Sequence, residues 1–124
     1  FFMKFIIINI WNYWEKVIVI RRYCCYKRGA ENDIYYNDMI NILNKYSAIL
    51  LDVRSNQEFK EGHMDGAINI PLCDVKKEVP KRISDKNKYI VAYCTSGIRS
   101  KKAQKILNSM GYKNVYNLMS GFNG

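Results

Sequence analysis

Several things are scarce in this chain of 124 residues. It has one histidine, His63, which excludes a His/Cys metal cluster of the usual kind. It has four cysteines, Cys24, Cys25, Cys73 and Cys94, and their spacing matches no zinc ligand pattern. The adjacent Cys24 and Cys25 make a poor disulfide pair, so a reducing cytoplasm fits better than a secreted, stapled scaffold. The two prolines, Pro71 and Pro80, are each expected to stop or break an element. No charge-free apolar run reaches the length that spanning a bilayer demands. There is no internal repeat and no low-complexity tract. A chain of this length makes one domain, whose core needs no disulfides.

What is abundant is positive charge, +9 in all. Residues 1–29 carry six Lys/Arg against one acid, and residues 30–124 carry fourteen against ten, so the split is +5 and +4. The larger part is therefore only mildly basic. Its lysines are scattered, apart from Lys76-Lys77, Lys81-Arg82 and Lys101-Lys102. They read as solvated faces rather than a nucleic-acid footprint. Residues 1–28 form an apolar, aromatic-rich segment interrupted by Lys4, Glu15 and Lys16 and followed by Arg21, Arg22, Lys27 and Arg28. Three readings stay open for it: a membrane-associated or surface-lying helix, an extra helix packed on the domain, or an artefact of where the chain starts. An inserted segment would leave the following domain on the cytoplasmic side. The first residue is Phe1 rather than Met, which fits a processed or incomplete start. Gly29 to Asp33 reads as a linker.

From residue 32 onward, strand and helix signals alternate. Ile34-Tyr35-Tyr36 reads as a short first strand, and Asn37 or Asp38 as the cap of a helix carrying Met39, Ile40, Leu43 and Tyr46. Ser47 to Val53 reads as a buried strand. Ser55 opens a short helix with Glu58 at capping-box spacing. Ala67 to Ile70 is a strand stopped by Pro71, and Val75 to Ile83 a helix broken around Pro80. Lys88 to Tyr93 and Asn114 to Leu118 complete the strands. Such alternation predicts an α/β domain with a central, mostly parallel sheet of about five strands and helices on both faces. Ligands of such sheets bind beyond the strand C-termini.

One stretch carries chemistry: Tyr89-Ile90-Val91-Ala92-Tyr93-Cys94-Thr95-Ser96-Gly97-Ile98-Arg99-Ser100. An apolar strand ends in a cysteine, and a glycine loop leads into a helix with Ala103, Ile106, Leu107 and Met110 at helical spacing. The first N–H groups of a helix lack intrahelical partners and carry partial positive charge. A compact loop adds more of them and makes an anion nest. A thiolate there is favoured over a thiol. Arg99 adds a cation that can fork onto an anion. Thr95, Ser96 and Ser100 offer hydroxyl donors. An inert buried cysteine is the bland alternative.

The loop Cys94-Thr95-Ser96-Gly97-Ile98-Arg99-Ser100 resembles the active-site loop of rhodanese-like sulfurtransferases. So do Leu50-Leu51-Asp52-Val53-Arg54 with Glu58-Phe59, and Glu61-Gly62-His63-Met64-Asp65-Gly66-Ala67-Ile68-Asn69-Ile70-Pro71-Leu72. The tail Asn117-Leu118-Met119-Ser120-Gly121-Phe122 resembles the family's closing strand and glycine turn. The resemblance covers roughly residues 32–124 and rests on motifs in the family's order. It implies a rhodanese-like fold and a sulfurtransferase that moves sulfane sulfur from thiosulfate or a persulfide through a persulfide on Cys94. Thr95 to Ser100 would bind the donor, with Arg99 on its oxyanion end. No metal and no organic cofactor would be needed. The expected partners are a small sulfur-containing anion and a thiol, protein or cyanide acceptor, with no nucleic acid and a monomeric domain.

Asp52 and Arg54 end a strand at the same sheet edge. Asp52 could hydrogen-bond loop N–H groups and Arg54 could pair with Glu58, although a structural polar cluster is the favoured reading. His63 is read as structural, and Cys73 as buried or, less in favour, a resolving thiol. Two other classes stay open. A cysteine phosphatase or arsenate reductase needs a loop one residue wider than the Thr95, Ser96, Gly97 and Ile98 present here. A non-catalytic or redox-sensing binding module often lacks the cysteine, which this chain keeps. Ser120 stands where the family often has glycine. The family also continues into a Trp-containing segment, whereas this chain stops at Gly124, which points to a shortened C-terminus.

Overall fold

The computed structural model describes residues 32–123. The expectations for residues 1–28 lie outside the described residues. Strands and helices alternate as the hydrophobic pattern requires. They run β1 (Asp33–Ile34), α1 (Tyr36–Tyr46), β2 (Ile49–Asp52), α2 (Asn56–Glu61), β3 (Ile68–Asn69), α3 (Val75–Arg82), β4 (Tyr89–Tyr93), α4 (Ile98–Ser109) and β5 (Asn114–Leu118). A 3-10 turn over Leu72–Asp74 precedes α3. The five strands form one sheet in the order β1-β5-β4-β2-β3, and every pairing is parallel. The domain thus has the expected parallel α/β architecture, and β4 is its central strand.

Alternation along β4 sorts the core into two layers. Ile90 and Cys94 face one side, with Leu51, Val75, Val79, Ala103 and Leu107. Val91 and Tyr93 face the other, with Met39, Leu50 and Leu118. A parallel strand covered on both faces must be apolar throughout, and Ile90 to Tyr93 are all fully buried. Helices α3 and α4 cover the first face, and α1 the second.

Three local expectations need correction. The first strand is shorter than Ile34–Tyr36, because Tyr35 and Tyr36 are exposed and only Asp33 and Ile34 find partners on β5. Helix α1 starts at Tyr36, so neither Asn37 nor Asp38 is its cap. Asp38 instead reaches back from the first turn, and its carboxylate accepts the Tyr35 N–H at 3.4 Å. Helix α3 runs unbroken through Pro80. Pro80 removes one hydrogen bond, to the carbonyl of the exposed Lys76, while Val75 and Val79 stay anchored in the core. Among the described residues no helix is long and apolar enough to cross a membrane.

Candidate active site

Strand β4 delivers Cys94 to the C-terminal edge of the sheet at its centre. The loop then turns through Gly97, at φ +85°, into α4. A side chain at Gly97 would be strained, and its Cβ would lie 2.8 Å from the Met119 carbonyl oxygen. Freed of that clash, the Gly97 N–H donates to Cys94 Sγ at 3.1 Å. Ser100, in the first turn of α4, places its Oγ 3.5 Å from the same sulfur. Burial pushes the Cys94 thiol up. Hydrogen bonds from the Ser100 hydroxyl and from the N–H groups of Ser100, Ser96 and Gly97 outweigh it, so the thiol titrates below its ordinary value. Cys94 itself has no exposed surface, whereas Thr95, Ser96 and Ile98 are exposed around it.

Ser100 has one proton to give. It donates that proton to Asn117 Oδ1 at 2.5 Å. Asn117 in turn donates from Nδ2 to Asp33 Oδ1 at 3.1 Å, and Lys101 Nζ pairs with the same oxygen at 2.8 Å. A thiolate on Cys94 competes with Asn117 for the Ser100 proton. The hydroxyl is therefore a donor whose target depends on the charge of the sulfur.

The closing turn after β5 holds the loop from the other side. Gly121, at φ +66°, lies so close that a Cβ would sit 2.1 Å from the Thr95 carbonyl oxygen. The Phe122 N–H donates to the Cys94 carbonyl at 2.8 Å. The Phe122 ring packs edge-on against Tyr93, and the Arg54 guanidinium lies 5.0 Å from its centroid.

Asp52 and Arg54 lie two residues apart on an extended chain and so project to one face. Arg54 Nη2 bonds Asp52 Oδ2 at 2.8 Å, and its Nε spans both carboxylate oxygens at 3.1 Å. Arg54 also donates to the Gly62 carbonyl at 2.7 Å. The hydrogen bond to Asp52 raises the Arg54 pKa against the opposing effect of burial. The expectation that Asp52 bonds the loop N–H groups is therefore corrected: Arg54 occupies its carboxylate. The expected Arg54–Glu58 pair is also corrected, because Glu58 pairs with Arg99 at 2.9 Å. Cys73 lies exposed on the 3-10 turn, so the reading of it as buried is overturned. His63 stacks on Phe59, and its Nδ1 lies 2.9 Å from the Phe59 carbonyl.

Beside the loop opens a cavity of about 400 Å³, bordered by Ser96, Gly97, Ile98, Lys102, Lys105 and Met119. Among the described residues no group of three or more His, Cys, Asp or Glu side chains is placed to hold a metal ion. The structure thus brings Ser96, Gly97 and Ser100 onto the Cys94 sulfur, with Arg99 within electrostatic reach of it. Sequence reasoning assigned no role in the loop to Asn117, Gly121 or Phe122, and saw Glu58 only as a cap or a partner of Arg54. Only the tail motif hinted at the first three, since nothing local in sequence joins residues 117–122 to residue 94.

Fold and site together define a class: a parallel α/β domain with a cysteine in an anion nest at the centre of its sheet edge. A family model described as "Rhodanese-like domain" matches residues 36–124, and the chain belongs to that family. The chain is 42% identical over 67 residues to the thiosulfate sulfurtransferase PspE of Escherichia coli K12, covering 54% of this chain and 64% of PspE. It is 36% identical over 88 residues to the tRNA uridine(34) hydroxylase of Buchnera aphidicola, covering 68% of this chain and 28% of that protein. The chain thus spans under two thirds of these curated relatives. A solved structure of "rhodanese with anions from E. coli" aligns with a TM-score of 0.56 and 35% identity, over 61% of this chain and 92% of that one. The human single-domain sulfurtransferase TSTD1 shares the fold, with a TM-score of 0.67 and 23% identity over 75% and 93% of the two chains.

Proposed function

We propose that this chain is a sulfurtransferase that carries sulfane sulfur as a persulfide on Cys94. The observation that supports the reading most is the surround of the Cys94 sulfur. N–H groups of Ser96, Gly97 and Ser100 and the Ser100 hydroxyl converge on it and depress its pKa. The thiolate attacks the outer sulfur of thiosulfate. A sulfur–sulfur bond forms to Cys94, the bond between the two sulfurs of thiosulfate breaks, and sulfite leaves with the electron pair. An acceptor thiolate or cyanide then attacks the outer sulfur of the persulfide, and Cys94 leaves as thiolate. The backbone N–H donors stabilise negative charge on the sulfur without reorganising, whereas the Ser100 hydroxyl turns from Asn117 to the sulfur as charge develops there. Asp52 and Arg54 support the loop indirectly, through the packing of Arg54 on Phe122. Sequence similarity to PspE favours thiosulfate as one donor. The activity named for the tRNA hydroxylases belongs to proteins of which this chain matches about a quarter, 28% in the Buchnera case.

Intact-protein mass tests this. The reduced full chain incubated with thiosulfate or a persulfide donor gains one sulfur on Cys94, cyanide removes it, and Cys94→Ser gains none. A wild type that gains no sulfur from either donor would sink the reading and leave a binding or redox-sensing module in its place.

A further inference from the structure

Glu58 lies on α2, outside the cysteine loop, yet it occupies the loop's arginine. Arg99 Nη1 donates to Glu58 Oε2 at 2.9 Å, and Arg99 Nη2 to Glu58 Oε1 at 3.3 Å. The carboxylate takes both arms of the guanidinium fork, the strong geometry for such a pair. Arg99 Nη2 also donates to Thr95 Oγ1 at 3.3 Å. Glu58 is itself fixed. Its Oε2 accepts the Ser55 N–H at 3.2 Å, and its own N–H donates to Ser55 Oγ at 3.2 Å. This reciprocal cap ties the carboxylate to the start of α2. The two side chains are 36% and 37% exposed, so an anion in solvent can reach the pair.

An oxyanion that would take both arms of the Arg99 fork must therefore displace a carboxylate already bound there. The charge of Glu58 also stays near the ligand afterwards. Repulsion between fixed charges scales with the charge of the incoming group, so a dianion is opposed about twice as strongly as a monoanion at the same distance.

Resting on the sulfurtransferase reading, we propose that Glu58 is a positioning residue that sets which sulfur donors this site accepts. By holding Arg99 it weights the site against small dianions such as thiosulfate and towards donors of lower charge, persulfides or organic thiosulfonates. With a thiosulfonate, Cys94–S⁻ attacks the outer sulfur of R–SO2–S⁻. The products are Cys94–S–S⁻ and R–SO2⁻, so charge and atoms balance and no further oxidant or reductant is consumed.

Glu58→Gln isolates the charge. The glutamine keeps the length and the acceptor that the Ser55 N–H needs, so the cap of α2 survives. In the full-length protein, the rate of persulfide formation on Cys94 is measured with thiosulfate, a dianion, and with benzenethiosulfonate, a monoanion. The expected result is a rise of about five- to tenfold in kcat/KM for thiosulfate, carried by KM, and about two- to threefold for benzenethiosulfonate. A fall of both rates by one factor would mean that Glu58 is only a strut for Arg99 and would overturn the proposal. A second measurement needs no turnover. Sulfate is titrated while the amide resonances of Gly97 and Arg99 are followed by NMR. Tighter sulfate binding in Glu58→Gln than in wild type supports the charge barrier, and equal or weaker binding overturns it. If the wild type forms no persulfide with either donor, the sulfurtransferase reading has failed. The sulfate titration then still decides whether Glu58 guards Arg99 against dianions.

Discussion

The chemistry of single residues turns on where protons sit. Cys94 attacks as thiolate, and its depressed pKa means that the thiolate persists to lower pH than an ordinary thiol allows. The rate of persulfide formation should rise with pH and level off once the pH exceeds that pKa. Ser100→Ala removes the donor that contributes most to the depression, so the midpoint should move to higher pH. A hydrogen bond to a charged group is worth about 1.5 kcal/mol, which is about one pKa unit. A pH–rate profile of alkylation or sulfur transfer checks this, and an unmoved midpoint would remove Ser100 from the role. Arg54 presents the opposite situation, a buried charge whose partner is fully buried. Arg54→Met leaves Asp52 uncompensated and should cost about 3–5 kcal/mol in urea unfolding. Asp52→Leu combined with Arg54→Met should cost less than the single change, because no charge is then stranded.

At the scale of elements, the loop depends on a turn more than twenty residues away. Two glycines, both at positive φ, separate conformation from contact. Gly111, at φ +94°, has no atom within 4 Å of the place a Cβ would take, whereas at Gly121, at φ +66°, a Cβ meets the Thr95 carbonyl at 2.1 Å. Gly111→Ala should cost about 1 kcal/mol through the left-handed conformation alone and leave the Cys94 pKa in place. Gly121→Ala carries the same conformational cost and must also push the cysteine loop away. It should therefore lose about 2–4 kcal/mol and raise the Cys94 pKa. Thermal unfolding and the pH profile, measured on both variants, distinguish the two effects. Similar losses in both would show that the turn does not hold the loop.

For the molecule as a whole, the all-parallel sheet is what puts the cysteine at the middle of an edge where helix N-termini converge. The excess of fourteen Lys/Arg over ten acids in residues 30–124 adds a modest long-range field that favours encounters with anions. Salt should screen it. Between about 50 mM and 500 mM salt, kcat/KM for an anionic donor should fall several-fold while kcat holds, since screening acts on encounter and not on the sulfur–sulfur step. A salt-independent kcat/KM would mean that the local balance of Arg99 and Glu58, not the global field, governs approach.

The sequence by itself determined the alternation of strands and helices, the parallel sheet, and Cys94 at a strand end before a helix, because these follow from the period of apolar residues and from one glycine. The last strand, Asn114–Leu118, and the Ser55–Glu58 cap were legible because their signals are local. Less local features were misread. The helix through Pro80 survives because its buried side is anchored elsewhere. Cys73 is exposed because a 3-10 turn lifts it away from the core. Only the tertiary structure decided which charges pair. Four groups, Asp52, Arg54, Glu58 and Arg99, allow more than one arrangement on paper. The geometry of the sheet edge gives Arg54 to Asp52 and Arg99 to Glu58. It also joins Asn117 and Gly121 to the cysteine loop across the sheet. Such partners are set by distance in space, and spacing along the chain carries no record of it.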